Sequence, residues 1–499
     1  LGQALPVPFR DEIPWPGEAD YIAARLEAHR VTTVSTQSLP LFVHEAKRTG
    51  AIKHTVPLRS ATLSAGASLP ASAETVEGLL AWLFPHPYLR DGSGADRPWL
   101  QEIPETSTAI TWGSWAEINQ ATANELGLQI GDAITLSRGD VEITVPVIIL
   151  KQVKPGVVAV PIGQGHESLG RWASGVGENP LRMVEIHGGT LSLQGFAVQA
   201  TARPGEGTDL ARTTFEQDQR GRHLARSIPL SQVENPDHWL ETHQQHYDHR
   251  NLDSMYERHR YPQHDWGMAI DLDACVGCGA CVVACHAENN VPFAGADGIR
   301  AGREMAWINI QRYVEEGSDE VNLLVSLCQH CHVAPCEPVC PVHAAYHTVE
   351  GLNGQVYNRC VGTRYCANNC TYKVRRFNYW DHTVPAPLEL AYNPDVTVRE
   401  RGVMEKCTLC IQRIREGKEE ADRRGEDVGD GAIQPACAQT CPAKAFTFGD
   451  LLRERSAVRR LSESARGYAL LGDLGTRPSI TYLAKVTRGD SSDTEGSHH

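Results

Sequence analysis

The chain has 499 residues, a length that calls for more than one domain, and 41% of them are hydrophobic, enough for packed cores. Acidic residues outnumber basic ones, 61 Asp and Glu against 47 Lys and Arg, for a formal charge of −14, which argues against a nucleic-acid binder with a basic face. An acidic surface fits simple solubility, or the steering of a basic partner such as a small cytochrome.

Residues 1–104 are punctuated by Pro and Gly, show weak periodicity and carry no assignable chemistry. The chain starts at Leu1 rather than Met and shows no leader; it reads as a processed or partial product, in which a missing export signal proves little. No apolar run reaches the about 18 residues that a bilayer span needs. The most apolar piece, ITVPVIILKQVKPGVVAVPIG at 143–163, is broken by lysines and prolines and reads as strands. From about 105 the texture changes. Asn119 is placed to cap a short helix, QATANEL, which stops at Gly127, a suitable left-handed residue. GDAITLSRGDVEITVPVIIL predicts two strands around a turn at Arg138–Asp140, and PGVVAVPIG adds another. The result is a small β-rich domain ending near 202. Gly163-Gln164-Gly165 could touch a nucleotide, but no GK[ST] follows, so a strand-end turn accounts for it. Residues 203–262 are polar; their stretch HWLETHQQHYDHRNLDSMYERHR has many histidines without clean ligand spacing and reads as a linker or docking arm. The tail after Ser491 is expected to be disordered.

The fifteen cysteines all lie between Cys275 and Cys441. An odd, clustered set points to metal ligation rather than to a disulfide framework. There are four groups: Cys275, Cys278, Cys281 and Cys285; Cys328, Cys331, Cys336 and Cys340; Cys360, Cys366 and Cys370; and Cys407 and Cys410, followed after 26 residues by Cys437 and Cys441. Each ends in C-x3-C, and three begin with C-x2-C. A C-x2-C-x2-C loop wraps three thiolates around a cubane with backbone N–H groups aimed at sulfur, while the trailing cysteine faces a second cluster. Gly277 and Gly279 let the backbone approach closely. Isolated zinc knuckles do not require the trailing C-x3-C. Cys328-Gln329-His330-Cys331-His332 spells a covalent haem site, yet haem there would orphan Cys336 and Cys340. In the third group, RCVGTRYCANNC, the second ligand position holds Thr363.

Residues 265–450 resemble the four-cluster ferredoxin subunits of pterin-type oxidoreductases such as dimethyl sulfoxide, polysulfide and nitrate reductases. The resemblance implies a duplicated two-cluster ferredoxin fold at 263–450. It assigns Cys275, Cys278, Cys281 and Cys441 to one [4Fe-4S] cluster, and Cys407, Cys410, Cys437 and Cys285 to a second. Cys328, Cys331, Cys336 and Cys370 fall to a third, which leaves Cys360, Cys366 and Cys340. Four cubanes need sixteen thiolates, and the missing one is at Thr363. Three cysteines suit [3Fe-4S]; a degenerate site is the alternative. Nitrate reductase relatives also lack this cysteine, and carry the [3Fe-4S] centre nearest the membrane.

The stretch from Trp115 to Arg182 resembles the C-terminal, double-psi-barrel domain of molybdopterin oxidoreductases, with Glu117, Asn119, Gly127, Gly131, Asp132 and Asn179-Pro180-Leu181 fitting its pattern. The implied architecture is an α+β multidomain chain: 1–104 irregular, a remainder of a pterin-oxidoreductase-like region; 105–202 barrel; 203–262 polar arm; 263–450 iron–sulfur domain; 451–499 C-terminal extension. Such a fusion resembles the large iron–sulfur subunit of alternative complex III, a bacterial quinol oxidase module. That resemblance implies an electron-wiring subunit with no catalytic residue, no molybdopterin and no covalent haem of its own. Its implied partners are an integral membrane quinol-binding subunit and multihaem and monohaem cytochrome c subunits, and its implied place is the periplasmic face of the cytoplasmic membrane. A molybdopterin reductase running electrons the other way, and a scaffold braced by non-conducting clusters, remain as alternatives. Thr363 is expected to raise the potential of its cluster. Lys373, Arg375 and Arg376 add positive potential, bind a partner, or are simply solvated or salt-bridged.

Overall fold

The computed structural model describes residues 78–234 and 259–487, apart from 185, 188–189, 192, 208, 214–217, 315–320, 383 and 385, together with 23–24, 26–27 and 38–43. Most of the histidine-rich arm (235–258) and the tail expected to be disordered lie outside the described residues. The chain divides into two units, Leu1–Glu74 and Thr75–His499. In the first, the described residues are helical turns within 23–27 and 39–43.

The second unit opens with a closed six-stranded barrel. Its strands are β1 (Leu79–Pro85), β2 (Ala116–Ile118), β3 (Asp132–Arg138), β4 (Val141–Ile149), β5 (Val157–Ile162) and β6 (Gln194–Gly207). They close in the order β1-β5-β2-β4-β3-β6. The β1–β5 and β2–β4 pairs are parallel and the remaining pairs antiparallel. Alternation along β4 buries Ile143, Val145 and Val147 against Ile134, Leu136, Val158 and Val160. Helix α1 (Gln120–Leu126) begins where the Asn119 side chain accepts the Ala121 N–H at 2.9 Å, and stops at Gly127 with φ 67°. The expected barrel limits of 105–202 are too narrow, because β1 lies before them and β6 runs past them. LLAWLFP is a short, unbroken apolar run with no period, and its partners are distant in sequence.

The cysteine-rich region is built around a four-stranded sheet of β7 (Trp266–Asp271), β8 (Phe446–Asp450), β9 (Gly467–Tyr468) and β10 (Ile480–Leu483), in the order β8-β7-β10-β9. β7 pairs antiparallel with β8 and parallel with β10. The C-terminal extension is therefore part of this sheet, not an appendage after 450. Within the expected linker, Ser227–Pro229 pairs in parallel with Lys485–Thr487. The core mixes aliphatic and aromatic side chains with thiols: Met268, Ile270, Ile480 and Tyr482 share it with Cys281, Cys285, Cys328, Cys370, Cys407 and Cys437. Among the described residues no helix is long and apolar enough to cross a membrane.

The barrel side packs directly on the first cysteine loop. The Thr106 hydroxyl donates to the Gly277 carbonyl at 2.9 Å and pairs with the Tyr88 hydroxyl at 2.8 Å. Buried Glu102 accepts the N–H groups of Ala294 and Gly295 at 2.7 Å and the Trp112 indole N–H at 3.2 Å. Burial nevertheless raises Glu102 to about 7, against those three donors, which favour its charge. A carboxyl raised in the folded state stabilises fully below its unfolded value near 4.5, and that stabilisation is lost as the pH rises through about 7. Glu117, also raised to about 7 by burial, acts in the same direction. Melting temperature should therefore fall between pH 5 and pH 8, with about 3 kcal/mol at stake for Glu102. Glu102→Gln should flatten that slope in thermal denaturation; an undiminished slope would show that Glu102 does not set it.

Candidate metal centre

The four cysteine groups sit on loops of one construction. After Cys275 the chain turns left-handed at Gly277 (φ 68°) and Gly279 (φ 69°), then enters helix α2 (Ala280–Glu288). After Cys360 it turns left-handed at Gly362 (φ 72°) and Arg364 (φ 62°), then enters helix α3 (Tyr365–Asn369). Thr363 thus holds on its loop the place that Cys278 holds on the first, and both side chains are exposed. The other two groups turn at the same step with residues that disfavour it, His330 (φ 45°) and Leu409 (φ 53°). Each costs on the order of 1 kcal/mol or more, so the loop geometry outweighs residue preference. Such turns aim successive N–H groups into a concavity suited to an anion.

A second repeat follows the trailing cysteines. Three residues after Cys340, Cys370 and Cys441 stand His343 (φ 49°), Lys373 (φ 54°) and Lys444 (φ 52°). The next N–H groups, those of Ala344 and Ala445, donate to the Cys340 and Cys441 sulfurs at 3.1 and 3.3 Å. Leu409 and Ala436 likewise donate to Cys407 and Cys410, both at 3.4 Å. Asn289 Nδ2 lies 3.6 Å from both the Cys285 and Cys410 sulfurs.

The thiols gather into four neighbourhoods, each drawn from distant parts of the chain. Cys281 lies in the field of Cys275, Cys278 and Cys441. Cys285 lies in that of Cys407, Cys410 and Cys437. Cys331 lies in that of Cys328, Cys336 and Cys370, and Cys366 in that of Cys360 and Cys340. Charge acts between successive sets, which orders them in a row. Cys437 feels Cys281 across the first junction, and Cys407 feels Cys328 across the second. Arg375 faces Cys336 and Cys366 across the third.

Burial pushes most of these thiols up: Cys336 to about 11, Cys407 to about 12, and Cys285, Cys331 and Cys437 well above the ordinary range. Cys340 goes the other way. Although burial opposes it, the N–H groups of Ala345, Val342 and Ala344 and the Arg375 charge draw it below the ordinary value. No disulfide joins the fifteen thiols. Among the described residues no three ligand side chains converge on one metal-ion position. The third set lines a small, partly open cavity, with all four of its thiols beside Tyr372, Val374 and Arg375. Free thiols, inward N–H donors and this cavity fit iron–sulfur groups. His332, the last residue of the haem-like motif, is committed to Asp265 at 3.1 Å and Ser479 at 2.9 Å. The Gly163-Gln164-Gly165 loop is closed by its own chain: buried Gln164 pairs with Gln101 at 2.7 Å.

Comparison with known proteins bears on both halves. Residues 269–344 match the family model of the 4Fe-4S dicluster domain, and 103–190 that of the Molydopterin dinucleotide binding domain. The chain is 40% identical over 228 residues to the iron-sulfur cluster-binding subunit of menaquinone reductase from Nitratidesulfovibrio vulgaris, covering 44% of this chain and 89% of that one. It is 32% identical to the Hdr-like menaquinol oxidoreductase iron-sulfur subunit 1 of Archaeoglobus fulgidus, over 44% of this chain and 82% of that one. It is 29% identical to the B subunit of polysulfide reductase from Wolinella succinogenes, over 45% of this chain and 96% of that one. With its four thiol-bearing loops and a molybdopterin-binding domain on the same polypeptide, the chain belongs to the family of iron–sulfur subunits of molybdopterin-type reductases.

Proposed function

We propose that this protein is the electron-transfer subunit of a membrane-associated quinol oxidoreductase of the alternative complex III type. The observation that carries the reading is the row of four thiol sets, the last one thiol short at Thr363. In this reading Cys275, Cys278, Cys281 and Cys441 hold one [4Fe-4S] group, and Cys285, Cys407, Cys410 and Cys437 a second. Cys328, Cys331, Cys336 and Cys370 hold a third, and Cys340, Cys360 and Cys366 a [3Fe-4S] group. Bound there, such groups supply one-electron chemistry. The chain's own part is to bury them, to aim N–H donors at their sulfurs and to set their order. Quinol oxidation belongs to an integral membrane partner, and cytochrome c subunits on the periplasmic side take the electrons. The menaquinone- and menaquinol-linked relatives support the quinol assignment. The closed barrel with its match at 103–190 supports a double-psi, pterin-oxidoreductase-like domain.

That same match favours a second reading, electron transfer within a molybdopterin reductase of polysulfide or dimethyl sulfoxide type. Metal analysis of the purified complex separates the two. The expected content is about 15 irons per chain, three sets of four and one of three, with no zinc, no covalent haem on this chain and no stoichiometric molybdenum. Stoichiometric molybdenum would move the assignment to the reductase; one or two clusters, or zinc, would overturn the ligand sets.

A further inference from the structure

Two arginines are buried in the iron–sulfur region, and they differ in what neutralises them. Arg399 pairs with Glu405 at 2.9 Å, both side chains fully enclosed. Arg375 is 5% exposed and has no carboxylate partner among the described residues. Its Nη1 donates to the Cys336 sulfur at 3.2 Å and to Asn353 Oδ1 at 3.2 Å, and its Nη2 donates to Gln355. These amide contacts pin the guanidinium in place. It lines the cavity of the third set and reaches Cys366 of the fourth. Among the described residues its Nε–H, like that of Arg399, is buried without a protein partner.

A buried cation without a counter-charge costs several kcal/mol, which is why Arg399 has Glu405. The negative charge that acts most on Arg375 is that of thiols: Cys336, Cys366, Cys328 and Cys370. Its countercharge therefore comes from the two thiol sets it separates, and from whatever they hold.

We infer that Arg375 is a positioning residue that sets the reduction potentials of the third and fourth sets jointly. The inference rests on the proposed iron–sulfur reading. Each group gains one electron, and one unit of negative charge, on reduction. A fixed positive charge and a hydrogen bond to ligand sulfur favour that reduced form. Water cannot screen the charge, because Arg375 is enclosed. One guanidinium placed between two sets raises both together and keeps the pair level for electron exchange. Arg376, next in sequence, cannot do this: its charge is spent on Glu304 at 2.8 Å.

The test is a spectroscopically monitored redox titration of the purified complex carrying Arg375→Met, Arg375→Lys or Arg376→Met, with iron counted in each. Arg375→Met should lower the midpoint potentials of the third and fourth sets and leave the first unmoved. Arg375→Lys keeps the charge but loses the planar fork, and should fall between wild type and Arg375→Met. Arg376→Met should match wild type. Unshifted potentials in an iron-replete Arg375→Met overturn the inference. Should that variant fail to take up iron, Arg375→Gln, which removes the charge but keeps amide donors, takes its place, and wild-type potentials in that iron-replete variant overturn the inference equally. A wild type without iron–sulfur signals defeats the underlying reading, whereas wild-type signals with no shift defeat this inference alone.

Discussion

Thr363→Cys is expected to abolish the paramagnetic signal of the oxidised protein and to lower the potential of the fourth thiol set. The two loops explain why. Cys278 stands between left-handed residues Gly277 and Gly279, and Thr363 stands between left-handed Gly362 and Arg364. Both side chains are exposed at the rim of their loops. A thiol at 363 would therefore arrive at the corner that Cys278 occupies on the first loop. With three thiols the site suits three ferric ions, an odd number that leaves a half-integer spin, roughly one signal per chain when oxidised. A fourth cysteine lets a fourth iron bind, and the oxidised signal should drop to near none and return, altered, on reduction. The added thiolate brings a negative ligand, so the midpoint falls and quinol-driven reduction slows, while dye-driven reduction of the other sets persists. Electron paramagnetic resonance of oxidised and reduced samples, with iron counted in both, decides it. An unchanged oxidised signal and an unchanged quinol rate would mean that Thr363 is not at the open corner, and that Cys340, Cys360 and Cys366 do not form one site.

The loops that carry this chemistry are legible in the sequence because their spacing is dictated by sulfur positions and their glycines mark the turns. Gly277, Gly279 and Gly362 announce left-handed backbone directly. His330 and Leu409 do not, since neither residue type favours positive φ; only the shared loop construction imposes it. Arg375 and Arg376 are indistinguishable as letters. The fold buries one against thiols and gives the other a glutamate, a difference that depends on partners distant in sequence. The barrel is legible where alternation is strong, as in VEITVPVII, and illegible at LLAWLFP, whose role is fixed by pairing with Val157–Ile162. The same holds for Ile480–Leu483, which enters the sheet beside Trp266–Asp271 from the far end of the region. Long-range parallel pairing leaves little local trace.

Removing iron should unfold the cysteine-rich region and spare the barrel. Apart from Met183 the buried barrel core is aliphatic, with Leu83, Ile118, Ile134, Leu136 and Val158 at its centre and no thiol. The other core is different in kind: six thiols pack among its hydrophobic residues, and the third set lines a cavity with all four of its thiols. Without a bound group, the left-handed turns at His330 and Leu409 keep their strain and lose what offsets it. Arg375 loses the negative charge that balances it. Net domain stability is about 5–15 kcal/mol, and a single structural metal contributes on the order of 10 kcal/mol, so losing several groups exceeds the margin. A chelator under reducing conditions should therefore abolish near-ultraviolet circular dichroism from the buried Trp266, Trp307 and Tyr482. Hydrogen exchange should become fast across 266–487 and remain slow at 79–85, 132–149 and 157–162. The iron-loaded chain should also resist denaturant in a way that depends on the chelator, while the barrel transition does not. An iron-free chain that keeps slow exchange at Met268, Ile270 and Ile480 would show that the sheet, and not the thiol-bound groups, holds this region together.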